Sequence, residues 1–156
     1  MRIIDPGIAA IVIGKINRAK ELGIKLELAS DSHLEPVHTE LRQALTAVIG
    51  NLLDNALESL AAHLRDSPYV SVRIMQRHPN ITVEVVDNGP GIPEDLLDQI
   101  FEFGFSTKAE KNRGLGLSII HNIAGSHIGN VQVSSTPGQI TSFIVTLTDT
   151  QHQKEG

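Results

Sequence analysis

Asn51-Leu52-Leu53-Asp54-Asn55-Ala56-Leu57-Glu58-Ser59 lies inside a long helical pattern and places two asparagines four residues apart. At that spacing both amides occupy one helix face. Asparagine is a poor helix former because its amide competes with the backbone for hydrogen bonds. A pair of them in the middle of an apolar helix therefore needs a reason. One reading is polar surface or tertiary hydrogen bonding. The other is ligation of a hard cation such as Mg²⁺, which amide oxygens suit and which in turn neutralises phosphate charge. Asp54 and Glu58 form an acidic pair one residue further round.

Working outward, the helix is expected over Val37 to Leu64, with Leu41, Leu45, Val48, Leu52, Ala56, Leu60 and Leu64 recurring every three or four residues. Upstream, Asp5 is a good N-cap with Pro6 in the first helical position. Ile8, Ile11, Val12, Lys15, Ile16 and Ala19 then make one helical face, which Gly23 closes. This helix reads either as the first of the domain or as the end of a longer one, and the second is the working expectation. Ile24 to Leu28 alternates as a strand, and the polar stretch Asp31 to Pro36 is expected to be irregular. Downstream, Tyr69 to Met75 and Ile81 to Val86 make a hairpin joined by Arg77 to Asn80. Short helices are expected over Glu94 to Phe101 and Gly114 to Gly125, on either side of a polar loop from Gly104 to Arg113. Asn130 to Ser135 and Gln139 to Thr146 close the pattern as strands around Thr136-Pro137-Gly138, and Gln151 to Gly156 reads as a frayed tail. Strand pairs with short links argue for antiparallel pairing. The expected fold is an α/β two-layer sandwich, a mixed, mostly antiparallel sheet with helices on one face. Strands do not alternate with helices throughout, so a doubly wound parallel sheet is disfavoured.

Composition narrows the chemistry. Of 156 residues, 13 are basic and 18 acidic, a formal net charge of −5, so a nucleic-acid partner gains no support. Cysteine is absent, which excludes disulfides, thiolate metal sites and cysteine nucleophiles. There is neither an apolar run of membrane-spanning length nor a signal-peptide pattern.

Three more segments carry potential chemistry. Asp87-Asn88-Gly89-Pro90-Gly91-Ile92-Pro93 follows a strand. Its glycines permit close approach by a ligand, and a carboxylate at a strand end can accept from an exocyclic amine such as that of adenine. Asn-Gly and Pro-Gly are equally common in plain turns. Phe101-Glu102-Phe103-Gly104-Phe105-Ser106-Thr107-Lys108 gathers three of the four phenylalanines just before the polar stretch. Aromatic anchors suit the hinge of a lid, or ordinary core packing, and Lys108 can reach a phosphate as a point charge. Arg113-Gly114-Leu115-Gly116-Leu117-Ser118 opens a helix whose free N–H groups face a ligand. The Gly-Lys-Ser/Thr ending of a P-loop is missing.

Taken in order, these four segments resemble the asparagine, first glycine, phenylalanine and second glycine boxes of the family that unites gyrase-type ATPases, Hsp90 chaperones, histidine kinases and MutL, the Bergerat ATP-binding fold. Asn-x-x-x-Asn, Asp-x-Gly-x-Gly-Ile, Phe-x-x-x-Phe with Ser-Thr-Lys, and Gly-Leu-Gly-Leu-Ser are similar to the bacterial sensor histidine kinase branch. The run Asn51 to Ser59, with Pro6-x-x-Ala-Ala-x-x-x-Gly-Lys15 ahead of it, looks like the citrate/malate (dicarboxylate) sensor kinases. The resemblance implies ATP and Mg²⁺ as cofactors, with the metal held by Asn55 and Asn51 beside the phosphates. It further implies that Asp87 reads the adenine amine while Gly89, Gly91 and Ile92 shape the loop beside the base. Phe101, Phe105, Thr107 and Lys108 would cover the nucleotide, and Gly114, Leu115, Gly116, Leu117 and Ser118 would face the phosphates. Asn51, Asn55 and Lys108 are the residues implied for catalysis.

The resemblance also implies a reaction, transfer of the ATP γ-phosphoryl to a histidine. His33 and His38 lie beside a polar loop rather than on a dimerisation helix, so both are expected to face solvent, and the acceptor is expected on a dimerisation domain absent from this chain. On this reading residues 1–22 close the dimerisation-domain helix, 23–150 form the ATP-binding catalytic domain and 151–156 are a disordered tail. The implied partners are the dimerisation and phosphoacceptor domain of the same kinase and a cognate response regulator. The fragment itself would make no membrane contact and would lie on the cytoplasmic face, the full-length protein being in the inner membrane. The gyrase and Hsp90 branches place a glutamate four residues before the metal asparagine. Here Asn51 stands there and cannot act as a general base. Two alternatives share the fold: an anti-sigma-type protein-serine kinase, and an interaction domain that binds no nucleotide.

Overall fold

The computed structural model describes residues 2–3, 5–62, 66–90, 129–136 and 140–149. Among these, seven strands and two helices follow the order β1 (Arg2–Ile3), α1 (Pro6–Glu21), β2 (Lys25–Leu28), β3 (His33–Leu34), α2 (Thr39–Ala62), β4 (Tyr69–Arg77), β5 (Asn80–Asp87), β6 (Asn130–Thr136) and β7 (Ile140–Thr148). The sheet runs β1-β3-β4-β5-β7-β6, with β2 also paired to β4. The long ladders β4–β5, β5–β7 and β6–β7 are antiparallel, and the short ones β1–β3, β2–β4 and β3–β4 are parallel. This is the mixed, mostly antiparallel sheet with helices packed on it that the strand pattern called for.

Strand parity decides what faces the helices. Val70, Val72 and Ile74 on β4, Ile81, Val83 and Val85 on β5, and Phe143, Val145 and Leu147 on β7 are buried, while the alternate positions are partly or fully exposed. Over this layer lies α2, which buries Leu41, Leu45, Val48, Ile49, Leu52, Leu53, Ala56, Leu57 and Leu60. Each leucine or isoleucine so buried contributes about 1.5–3 kcal/mol, so the layer contact outweighs any single polar interaction in the domain.

The first helix is built as its sequence indicates at both ends. The Asp5 carboxylate accepts from the N–H groups of Gly7 and Ile8 at 3.0 and 3.2 Å. At the other end Gly23 has φ 75°, the Ile24 N–H donates to the Ala19 carbonyl at 2.9 Å and the Gly23 N–H to that of Lys20 at 3.1 Å. That pair of bonds needs a left-handed residue past the helix end, which glycine supplies without strain. Ile8, Val12 and Ala19 are buried, α1 packs on α2, and Lys15 Nζ reaches Asp54 Oδ1 at 2.6 Å. Asp54 is thus turned toward α1. β1 precedes α1 and pairs with β3, so α1 lies between two strands of one sheet.

Some expectations are corrected. The stretch Asp31 to Pro36, expected to be irregular, contains β3, where Leu34 is fully buried and Ser32 Oγ accepts from the Ile74 N–H at 3.2 Å. A two-residue strand held by backbone pairing carries no period that a sequence can display. The hairpin strands reach Arg77 and Asn80, leaving His78-Pro79 as the turn. His38, expected to face solvent, caps α2. Its Nδ1 accepts from the Leu41 N–H at 3.3 Å and its Nε2 lies 3.4 Å from Asp149 Oδ1 at the end of the sheet. The expected helices over 94–101 and 114–125, the loop between them and the tail lie outside the described residues.

Asp5 does more than cap. Its side chain is fully buried, and it also accepts from the Val37 N–H at 3.0 Å and from Arg42 Nε at 3.0 and 3.1 Å. Arg42 in turn donates to the Val37 carbonyl at 2.9 Å. Burial alone would push the Asp5 carboxyl up, but the Arg42 guanidinium and the N–H groups of Val37 and Ile8 outweigh it and hold the group below its ordinary value of 3.8. The stability this contributes is fully present above that value and is lost as pH falls through the lower folded-state value. Arg42→Ala strands a buried carboxylate and is expected to destabilise the domain at pH 7. In urea unfolding, the gap between wild type and R42A should narrow as pH drops from 7 to 3. A gap independent of pH would show that the pair contributes through packing alone.

Candidate functional site

The inner face of α2 is apolar except at two positions. Asn55 and Ser59 are 4% and 7% exposed among leucines and alanines, one helical turn apart. Asn51, a turn earlier, is half-buried, and its Nδ2 donates to the Ala47 carbonyl at 2.7 Å. That bond orients the amide so that Oδ1 is the atom it offers to a cation or a donor. Asn51, Asn55 and Ser59 thus form a polar line along a helix face that otherwise makes core.

On the sheet side, parity turns Asp87 inward after Ile81, Val83 and Val85, and it is 4% exposed. It ends β5 beside Val70 on one neighbour and Thr141 on the other. Thr141 is buried too, the polar member of an inward row continued by Phe143, Val145 and Leu147. Asp87 Oδ1 accepts from the Gly89 N–H at 2.9 Å, which fixes the carboxylate rotamer. Asn88 is committed elsewhere. Its N–H donates to the Tyr69 carbonyl, its Oδ1 accepts from the Tyr69 N–H at 2.8 Å, and its Nδ2 donates to the Ser67 carbonyl at 3.0 Å. The two side chains of the Asp-Asn pair therefore divide their work. Asn88 ties the strand end to the start of β4, and Asp87 looks into the interior.

Gly89 joins the two walls. A β-carbon there would lie 2.8 Å from Asp87 Oδ1, 3.3 Å from Ser59 Oγ and 3.5 Å from Leu60 Cδ2. The loop after β5 is thus pressed against the last turns of α2, and a larger residue at 89 would displace the Asp87 carboxylate. The result is a buried carboxylate at one end of a helix face that carries buried or half-buried amides at the other. An acceptor-only carboxylate suits a nitrogen-bound hydrogen donor, and amide oxygens suit a hard cation.

Of the residues that the sequence singles out, the structure brings Asn51, Asn55, Asp87 and Gly89 to this one region. Gly91, Ile92, Phe101, Phe105, Thr107, Lys108, Gly114, Leu115, Gly116, Leu117 and Ser118 lie outside the described residues. Ser59 and Thr141 were not singled out. The signals for them were present: Ser59 continues the four-residue spacing of Asn51 and Asn55, and Thr141 shares the parity of an otherwise apolar row. Among the described residues no cluster of three or more His, Asp or Glu side chains is placed to hold a metal.

Comparison with known proteins assigns the chain to a family. Residues 40–151 match the family described as histidine kinase-, DNA gyrase B-, and HSP90-like ATPase. The sensor histidine kinase DcuS of Escherichia coli is 40% identical over 94% of this chain and 26% of its own length. The sensor protein CitS of Halalkalibacterium halodurans is 35% identical over 99% of this chain and 29% of its own length. The chain therefore spans less than a third of the curated relatives it matches. Among solved structures, full-length ShkA in complex with AMPPNP superposes with a TM-score of 0.74 over 90% of this chain and 29% of that one, at 24% identity. The nucleotide-free catalytic domain of the histidine kinase ThkA superposes with a TM-score of 0.73 over 96% of this chain and 97% of that one, at 23% identity. At these identities the superpositions establish the fold, and the family match establishes descent. The chain belongs to the family of histidine kinase-, DNA gyrase B- and HSP90-like ATPases, as a catalytic domain related to those of the sensor histidine kinases.

Proposed function

We propose that this domain binds ATP with the adenine at Asp87 and the phosphates toward Asn51 and Asn55, and that it passes the γ-phosphoryl to a histidine on a separate dimerisation domain. The observation that carries this reading is the buried pairing of an inward carboxylate at the end of β5 with the polar line on α2, joined where Gly89 meets Ser59. Asp87, with Oδ1 held by the Gly89 N–H, is placed to accept from the exocyclic amine of the base. Asn55, assisted by Asn51, would hold Mg²⁺ through amide oxygen, and the buried setting keeps water from competing for it. Mg²⁺, when bound, neutralises the phosphate charge that opposes attack by the acceptor. The domain has little covalent chemistry to perform, because phosphoryl transfer depends on positioning and charge neutralisation. Lys108, Thr107, the phenylalanines 101 and 105 and the glycines 114 and 116 complete this proposal as a cover and a phosphate cradle.

The absence of a glutamate at position 51 favours a kinase over a hydrolase, since an amide cannot take a proton from water. The similarity to DcuS and CitS supports a place in a dicarboxylate-type sensor kinase, with a response regulator downstream and a membrane-bound parent protein. No described helix is long and apolar enough to cross a membrane. Because α1 is capped by its own Asp5, packs on α2 and is flanked by strands of the sheet, we include it, with β1, in the catalytic unit rather than in a dimerisation helix.

Calorimetric titration with a non-hydrolysable ATP analogue tests the site. Asn55→Ala should weaken binding by about tenfold or more in the presence of Mg²⁺ and much less in its absence. Asp87→Asn should weaken it by about tenfold with or without the metal, the value of one hydrogen bond to a charged acceptor. Equal losses in N55A with and without Mg²⁺ would remove the metal role. With a supplied dimerisation domain from a dicarboxylate sensor kinase, label from γ-³²P-ATP should appear as acid-labile phosphohistidine. Acid-stable phosphoserine would favour the serine-kinase alternative.

A further inference from the structure

The proposed mechanism leaves Ser59 without a task, yet the structure buries it to 7% exposure one turn past Asn55 and against the loop that carries Asp87. A buried hydroxyl costs free energy unless it is hydrogen-bonded, and alanine at this position would extend the apolar face at no such cost. Its surroundings indicate what it does. Both oxygens lie on one side of Gly89, since a β-carbon built there would lie 2.8 Å from Asp87 Oδ1 and 3.3 Å from Ser59 Oγ. Asp87 is itself only 4% exposed, with Val70 and Thr141 as its ladder neighbours. A carboxylate withdrawn from water tends to take up a proton unless donors face it. In its protonated form it would present a donor to the base amine, which is also a donor. The Gly89 N–H supplies one donor at 2.9 Å. A second hydroxyl donor in the same pocket would keep the group ionised and its acceptor face turned toward the ligand.

We propose that Ser59 is a positioning residue for base recognition: its hydroxyl, set beside the Asp87–Gly89 turn, maintains the Asp87 carboxylate as an acceptor and so sets the preference for a 6-amino over a 6-oxo purine. This rests on the nucleotide-site reading above. It makes the last turn of the asparagine face part of the base pocket, so that one helix serves both ends of the nucleotide. Asn55 faces the phosphate end and Ser59 the base end, about 6 Å apart along the helix axis.

The test compares ATP with inosine triphosphate, which has the same sugar and phosphates but an oxygen in place of the 6-amino group. Affinities of wild type, Ser59→Ala and Ser59→Cys are measured by titration with Mg²⁺ present, alongside thermal melting. Wild type is expected to prefer ATP by tenfold or more. Both variants should lose about three- to tenfold in ATP affinity, as for one hydrogen bond, and hold inosine triphosphate at least as tightly as wild type, because a protonated Asp87 can donate to the 6-oxo group, so that the ratio falls. Cysteine keeps the shape of serine, with a somewhat larger atom, but is a weak donor, so beside the alanine variant it separates donor chemistry from packing. If S59C keeps the wild-type ratio, or if both nucleotides weaken equally in both variants, the inference is overturned. Should S59A fail to fold, S59C alone decides. Wild type that binds neither nucleotide would instead defeat the reading of the site itself.

Discussion

The domain depends on the burial of one face of α2 against the inward side of β4 and β5. Leucines and isoleucines from the helix and valines from the strands belong to one continuous core. The same contact creates the site. A helix face that must be dry to hold the fold carries Asn55 and Ser59 within it, and a strand row that must be dry ends in Asp87. Polar groups survive there only with partners, so position and chemistry are set together. Any tilt of α2 that repacked its leucines would also move the amides relative to the carboxylate.

The first helix secures that arrangement from behind. Asp5 caps α1, receives Arg42 from the first turn of α2 and holds the Val37 backbone that leads into it. Lys15 reaches Asp54, the residue before Asn55, from the same side. His38 caps α2 and faces Asp149 at the end of β7. Three polar contacts of different kinds thus fix the start and the middle of α2 relative to α1 and the sheet. Exposed ion pairs are worth little individually, and Lys15–Asp54 is only partly buried. Asp5–Arg42 differs because the carboxylate is fully buried and every described contact to it is a donor.

Much of this was legible in the sequence, for physical reasons that differ by element. The 3.6-residue stripe of α2, the alternation in β5 and β7 and the Asp5-Pro6 start all express side-chain burial or local capping, which residues report directly. β1 and β3 left no trace because two-residue strands are held by backbone pairing, which any sequence can offer. The status of α1 was ambiguous, because an apolar face reads the same whether it covers its own sheet or a partner helix. The two roles of Asp5 illustrate the limit. The cap spans two or three residues and was visible, whereas the Arg42 partner lies 37 residues away and was not. In the site, Asn51, Asn55 and Asp87 stood out because they interrupt apolar patterns. Ser59 interrupts the same pattern, but a serine near a helix end is unremarkable until the Gly89 loop is seen against it.

The central claim is that Asn55 and Asp87 belong to opposite ends of one ligand site, and nuclear magnetic resonance of the ¹⁵N-labelled domain tests it most directly. Adenosine alone should shift the backbone amides of Asn88 and Gly89 and leave the side-chain amides of Asn51 and Asn55 unmoved. Adding phosphates and Mg²⁺, as a non-hydrolysable ATP analogue, should then shift those side-chain amides as well. If adenosine moved the asparagine side chains and spared Gly89, or if the magnesium-bound analogue saturated the protein without touching either end, the account of the site would be contradicted.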